Sequence, residues 1–538
     1  MKMLRSVIDW LEERTGIESG IKHFLYEDVP ASAGWHQVLG SVALFAFLTQ
    51  VFTGTLLALN YAPTPGEAYN SLRYIVTELT AGQLIRGLHH WGASLMIVVV
   101  VLHMAQVFLW GAYKKPREAT WMVGGVLLLL TLAYGLTGYL LPWDNRAYWG
   151  TVVTTQIAAL APGGGPYVLR LLGSDGGSIG AVTFARFYSV HVLLLPPLTI
   201  LLIALHVFLV RRHGVAPTPA DENLPKKKFY PEQVFKDTVA TFLWFAVLVC
   251  MAIAVRVPLG HVADPTDTSY IPRPEWYFLF LFQMLKVFEG PLEIVGAVIL
   301  PTLAILTLFL VPFIDRGKAI KIQQRTGAIA VVVLAVIGWS ALTARAIATT
   351  PPSTESPDAG FAQIEPWQEL PADQLAAIGA FRKDNCVTCH VLGKSGAGPD
   401  LTKAASQRPA DWLMQHFKQP APNGPATQLK GPELRALVNF VAKRTDNGLK
   451  AWTGAPQPAV EGAMLYQANQ CGACHQVNGV GMKTGPPLNG IADHRNREWL
   501  EGHFADPQKF SPGSTMPAYK FNSHDLDRLT SYIMEIPK

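Results

Sequence analysis

Two cysteine pairs and four widely spaced histidines carry the clearest chemistry in this chain. Cys386, Cys389 and His390 form CVTCH, and Cys471, Cys474 and His475 form CGACH. Two thiols at this spacing, followed at once by histidine, are the attachment signature of c-type haem, in which the thiols form thioethers and the imidazole ligates iron. The fifth cysteine, Cys250, stands alone in an apolar stretch and reads as packing.

The other histidines lie where water does not reach. GLHHWGASLMIVVVVLH, Gly87 to His103, puts imidazoles inside a segment apolar enough to cross a membrane, and such residues mark function. His89 and His103 are fourteen residues apart, about 21 Å of helix rise, so they share one face. His90 falls on roughly the opposite side from His103. RFYSVHVLLLPPLTILLIALHVFLV holds the matching pair, His191 and His206, fifteen residues apart. If both helices run in the same direction, His89 meets His191 near one surface and His103 meets His206 near the other. That design suits two noncovalent b-type haems in line across the membrane. Interhelical hydrogen bonding is the alternative, and it gives no reason for two matched spacings.

Flat macrocycles also need room. Gly40 and Gly54, then Gly124 and Gly138, repeat the fourteen-residue step, and glycine lets a porphyrin approach backbone. Helix packing by small residues is the alternative for either glycine pair. Arg86 and Arg186 shortly precede the histidines at one end and are placed to pair with haem propionates.

The elements that position these residues follow from composition. The chain has 538 residues, 50% hydrophobic and only 15% charged, with mean hydropathy +0.22, which indicates an integral membrane protein in contact with lipid and excludes a nucleic-acid binder. Seven apolar spans are expected, at 38–60, 91–111, 120–140, 188–210, 238–257, 292–314 and 326–348. Lys114, Lys115 and Arg117, then Arg211, Arg212 and Lys226 to Lys228, then Arg316, Lys318, Lys321 and Arg325 fall in alternate loops, which the positive-inside rule makes cytoplasmic. The N-terminus is amphipathic without a cleavable signal, and reads as lying at the cytoplasmic face of a bacterial inner membrane. An odd number of spans then puts the C-terminal region outside, in the periplasm, where c-type haem is attached.

Thr349 to Gly360 is rich in Pro, Ser and Thr and reads as linker. Beyond it lies a repeat: FRKDNCVTCH, GPDL and DWLMQHFKQP, then YQANQCGACH, GPPL and EWLEGHFADP. The expected organisation is an all-α chain. It has a four-span dihaem core at 1–214, three further spans at 215–348, a linker at 349–370, and two small helical cytochrome c domains at 371–445 and 460–538, joined through Thr445 to Ala459.

Residues 1 to about 350 resemble the cytochrome b of quinol-oxidising cytochrome bc and bf complexes, with both halves in one chain. The resemblance rests on the four histidines, the glycine pairs, TGYLLPWDNRAYW from Thr137 to Trp149, and RPEWYFLFLFQ from Arg273 to Gln283. The fifteen-residue step and PWD are closer to the bf branch. The resemblance implies a quinol-oxidation site at PEWY, with Glu275 as proton acceptor and Tyr277 and Tyr139 in its pocket. An interfacial carboxylate beside aromatic anchors is the plainer reading of Glu275. Two departures stand out. Val38 occupies the place where the bf branch carries a haem-tethering cysteine, and His90 replaces an arginine. The second CxxCH domain resembles class I cytochromes c, whose loop spacing, Pro507, Pro512 and Met516, makes Met516 the distal ligand. In the first domain Pro420 and Pro425 are followed by Leu429, so an iron there needs another sixth ligand or has none; His416 is the first candidate and Met414 a weaker one, although His503 holds the place of His416 in the second domain.

The resemblance implies a subunit of a quinol:cytochrome c oxidoreductase in a homodimeric, proton-translocating respiratory complex. One electron from quinol goes by a Rieske iron–sulfur partner to two c haems and on to a soluble cytochrome or terminal oxidase. The other crosses through two b haems to an inner quinone. The rival is a dihaem anchor that links a periplasmic dehydrogenase to the quinone pool without splitting the electrons.

Overall fold

The computed structural model describes residues 2–537 apart from 222–223, 264, 266–269, 319–320, 351–357, 359–360, 362–364, 385, 391–396, 402–407, 420–425, 444–445 and 494. Pro420, Pro425 and most of the expected linker therefore lie outside the described residues. The chain divides into two compact units, Met1–Phe361 and Ala362–Lys538.

In the first unit, seven helices among the described residues are long and apolar enough to cross a membrane: Trp35–Ala58, Gly82–Trp110, Glu118–Tyr139, Ala181–His213, Glu232–Ala254, Gly290–Ile314 and Thr326–Thr349. The second begins earlier than expected and so carries Arg86 and His89 on one rigid element. The fourth holds Pro196 and Pro197, which cannot donate to the carbonyls four residues back. The turn before them widens to π-form at Val190–Leu194, and that turn carries His191. Val42, Ala46 and Phe47 of the first helix pack with Met96 and Val99 of the second and Trp244 and Leu248 of the fifth. Leu334, Val336 and Ile337 on the seventh are more than half exposed, a face suited to lipid. Cys250 departs from the packing role expected of it, because its position on the fifth helix faces outward.

The loops after the second and sixth helices are clamped at one end of the bundle. Asp315 accepts hydrogen bonds from Tyr113 Oη (2.5 Å), Arg325 Nη2 (3.0 Å) and Lys114 Nζ.

The second unit is helical too, with one small ladder pairing Gln476–Val477 to Val480–Gly481. Its two CxxCH copies do not stand apart as beads on a loose join. Helix Ala372–Lys383 packs on Gln457–Ala468, which packs on Ser523–Met534. One core runs from Leu375, Phe381 and Leu437 to Val460, Tyr466 and Tyr532. Gly379 permits the approach: a Cβ there would lie 2.7 Å from Val460 Cγ1. The expected join contains a helix, Asp446–Gly454, whose Trp452 packs edge-on against Phe381.

Candidate functional site

The four spanning histidines come together as two pairs. The His89 and His191 rings face each other with centroids 6.4 Å apart. Two imidazoles sharing one metal through bonds of about 2 Å would have centroids roughly 6 Å apart. Each histidine also lies against one of the four glycines: Gly54 faces His89, Gly138 faces His191, Gly40 faces His103 and Gly124 faces His206. A Cβ would stand 3.0 Å from His89 Cε1 at Gly54 and 2.7 Å from His191 Cε1 at Gly138. The glycines thus make room first for the imidazoles. The donor set, the apolar walls and this spacing fit axial ligation of a b-type haem.

One cavity of about 450 Å³ takes in the first pair together with Tyr139, Glu275 and Tyr277. The PEWY segment turns into a short helix, with Glu275 at its N-cap position and Tyr277 buried. Tyr139 Oη donates to the Arg273 carbonyl at 2.9 Å. Glu275 Oε1 accepts from Arg146 Nη2 at 3.0 Å. Burial raises the Glu275 carboxyl above the ordinary carboxylate range, and Arg146 opposes that rise. Arg86 lines the cavity, but its guanidinium donates to the carbonyls of Val257 (3.2 Å) and Pro258 (2.7 Å). Arg186 is not brought to this site. It is exposed and donates to the carbonyls of Arg170 and Leu171, which end the helix Gly165–Leu172. His90, set aside by its helical phase, lines the same cavity as His89 because the cavity is broad.

Several groups were not singled out from the sequence. Thr53 and Thr137 contact the histidines of the first pair. A polar cluster sits one residue from Gly40: Ser41 Oγ donates to Asp237 Oδ2 at 2.9 Å, and Gln233 Nε2 donates to Asp237 Oδ1 at 2.9 Å. Among the described residues, Gln233 Oε1 and His36 Nε2 are buried without partners. The KD dipeptide opening the fifth span, Lys236–Asp237, was its only sequence trace.

The second unit repeats one local design twice. His390 Nδ1 meets the Pro399 carbonyl at 3.1 Å, and His475 Nδ1 meets that of Pro486 at 2.8 Å, which leaves Nε2 of each ring as the atom that could hold a metal. Gly398 and Gly485 lie against these two rings. His416 stacks on Trp412 and stands 6.1 Å from His390 between ring centroids, close to the His89–His191 separation. His503 stacks in the same way on Trp499. Met516 packs against the shared core, in a loop anchored by the bond from Tyr519 N to the Phe504 carbonyl at 2.8 Å. Cys386 and Cys471 are half-buried at the starts of the two 3-10 turns, with Cys389 and Cys474 next to the histidines.

Comparisons with known proteins agree with this arrangement. The family model described as cytochrome b/b6/petB matches residues 27–214, that for cytochrome b(C-terminal)/b6/petD matches 262–361, and that for cytochrome c matches 459–537. The chain is 39% identical to the cytochrome bc complex cytochrome b subunit of Chlorobaculum thiosulfatiphilum over 58% of its own length and 74% of the relative. It is 37% identical to cytochrome b6 of Chlamydomonas reinhardtii, over 40% of this chain and 99% of that one. A solved structure titled hyperthermophilic respiratory Complex III superposes with TM-score 0.58 at 30% identity, covering 66% of this chain and 93% of the other.

Proposed function

The chain belongs to the cytochrome b family, with a cytochrome c region in the same polypeptide, and from that premise we propose that it oxidises quinol and divides the two electrons between separate acceptors. It is an integral membrane subunit of a bc-type complex, with b- and c-type haems. One cavity carries the reading: the carboxylate and tyrosine of PEWY share it with a glycine-backed imidazole pair.

Haem bound between the histidines supplies one-electron transfer, with its potential set by axial ligands and burial. The chain's own groups do the rest. Quinol enters beside Tyr139 and Tyr277, whose rings wall the cavity, and Glu275 takes a proton from a quinol hydroxyl. One electron leaves to a Rieske-type partner and then to the c modules, where His390 with His416, and His475 with Met516, would hold the iron of a bound haem. His89 with His191, and His103 with His206, would hold two haems that supply a path for the other electron toward quinone at the Ser41–Asp237 cluster, where His36 Nε2 can donate to a quinone carbonyl and Gln233 Oε1 can accept from the hydroxyl formed on its reduction. The expected setting is a homodimeric complex in a bacterial inner membrane, with PEWY and the c modules on the outer side, proton release there, and a soluble cytochrome or terminal oxidase as acceptor.

Purification of the intact complex tests this. Pyridine haemochromes in a ratio of two b to two c, a co-purifying iron–sulfur protein, and stigmatellin-sensitive quinol oxidation are expected. Absence of both the iron–sulfur protein and the inhibition would instead favour a simple dihaem anchor.

A further inference from the structure

The reading above gives Arg146 no task, and its position supplies one. Asp144 caps the helix Asn145–Ala159 by accepting from Ala147 N at 2.8 Å. Arg146, in the first turn, reaches back into the cavity. Its guanidinium carbon lies 5.7 Å from the centre of the Tyr139 ring, and its Nη2 is 3.0 Å from Glu275 Oε1. The Glu275 side chain is only 13% exposed. A carboxyl alone in such a cavity would stay protonated, and a protonated carboxyl cannot accept a proton from quinol. A buried ion pair is a weak device for stability, because desolvation offsets its attraction. The pair therefore calls for a role at the site.

The neighbours do not replace Arg146. Asp144, the cap of Arg146's own helix, and Tyr139 and Tyr277 face the pair, with Tyr270 beside Tyr139, and none of them is a cation. Arg86 and His90 lie on the second spanning helix, where Arg86 is bonded to backbone carbonyls.

We propose that Arg146 is a positioning residue for proton acceptance, holding Glu275 ionised and aimed into the cavity until a quinol hydroxyl reaches it. The quinol O–H bond then breaks and a Glu275 O–H bond forms, while an electron passes to a partner iron–sulfur centre. With its charge cancelled, the carboxyl is released from the guanidinium. This rests on Glu275 being the acceptor.

The test compares Arg146→Ile, Arg146→Gln, Arg146→Lys and Glu275→Gln in the intact complex. The readouts are the pH profile of kcat/KM for quinol oxidation, the infrared band of the protonated carboxyl, and haem content and potentials. Loss of the charge should move the acid limb and the infrared titration upward by about one pH unit, a roughly tenfold loss of rate below the limb. Haem content and potentials should stay unchanged, and Arg146→Lys should restore most of the profile. Arg146→Gln keeps a hydrogen-bond donor and should behave like Arg146→Ile, which separates charge from packing. If Glu275→Gln removes the limb while neutral residues at 146 leave it in place, the assignment of Arg146 is wrong. If the limb persists in Glu275→Gln, the acceptor reading itself fails.

Discussion

The Thr137 hydroxyl lies 3.0 Å from Nδ1 of His191, and Thr53 stands in the same relation to Nδ1 of His89. Each hydroxyl proton is already committed, to the Ala133 carbonyl at 2.8 Å and the Thr49 carbonyl at 2.7 Å. The threonine oxygen is therefore the acceptor, Nδ1 carries the proton, and Nε2 is left to ligate the proposed haem. In the other pair, among the described residues, no side-chain acceptor meets Nδ1 of His103 or of His206, although the backbone of Thr120 interacts with the His206 ring. The residues before the facing glycines there are Leu39 and Val123.

This difference predicts a difference in potential. An accepted Nδ1 proton makes the imidazole more basic and favours ferric iron. Thr137→Val should raise the potential of the haem at His89/His191 by roughly 20–60 mV, the equivalent of one ordinary hydrogen bond. Thr137→Ser should restore it, and the haem at His103/His206 should not move. A haem-resolved redox titration decides, and equal shifts at both haems would contradict the assignment.

The glycines should rank by the space behind them. Alanine at 138 would place its Cβ 2.7 Å from the His191 ring, whereas at 40 the nearest His103 atom is at 3.5 Å. Gly138→Ala should cost about 1–3 kcal/mol of overpacking and lower b-haem occupancy, while Gly40→Ala remains close to the parent. Absorbance per polypeptide reports both.

In the c region, the His390–His416 separation predicts bis-histidine ligation in the first module. His416→Ala should turn that haem high-spin at unchanged haem content, and Met516→Ala should remove the methionine-to-iron charge-transfer band of the second. A low-spin first haem in His416→Ala would exclude this ligand.

The Asp315 clamp predicts an acid limit for stability. Burial opposes ionisation of Asp315, but hydrogen bonds from Lys114, Tyr113 and Arg325 outweigh it and hold the carboxyl down at about 2. The folded value is depressed, so its contribution is present above the unfolded value of about 3.9 and is lost as pH falls toward 2. Asp315→Asn should destabilise by about 1–2 kcal/mol at neutral pH, modest because the carboxylate is partly exposed. Thermal unfolding in detergent, followed against pH, checks both the size and the sign.

What could be read from the chain and what could not have a common cause. Periodicity and spacing are local, so the spans, His89 with His103, His191 with His206, and both CxxCH motifs were visible as sequence. The pairing of Arg146 with Glu275, 129 residues away, depends on how helices meet, as does the contact of Thr53 with His89. Arg186 looked available for a propionate because nothing in its neighbourhood announces that it ends the helix Gly165–Leu172. The shared core of the two c modules was hidden for a related reason. ADQLAAIGAF is apolar on nearly every side, and which partner covers it shows only where Gly379 admits Val460.

The central claim is that quinol at the PEWY cavity gives its two electrons to different acceptors. The most direct measurement adds an oxidant pulse to quinol-reduced membranes with the inner quinone site blocked by an antimycin-type inhibitor, while b and c haems are followed together. The account predicts that oxidation of the c haems drives further reduction of the b haems, and that stigmatellin or Glu275→Gln suppresses it. Simultaneous oxidation of b and c haems would contradict it.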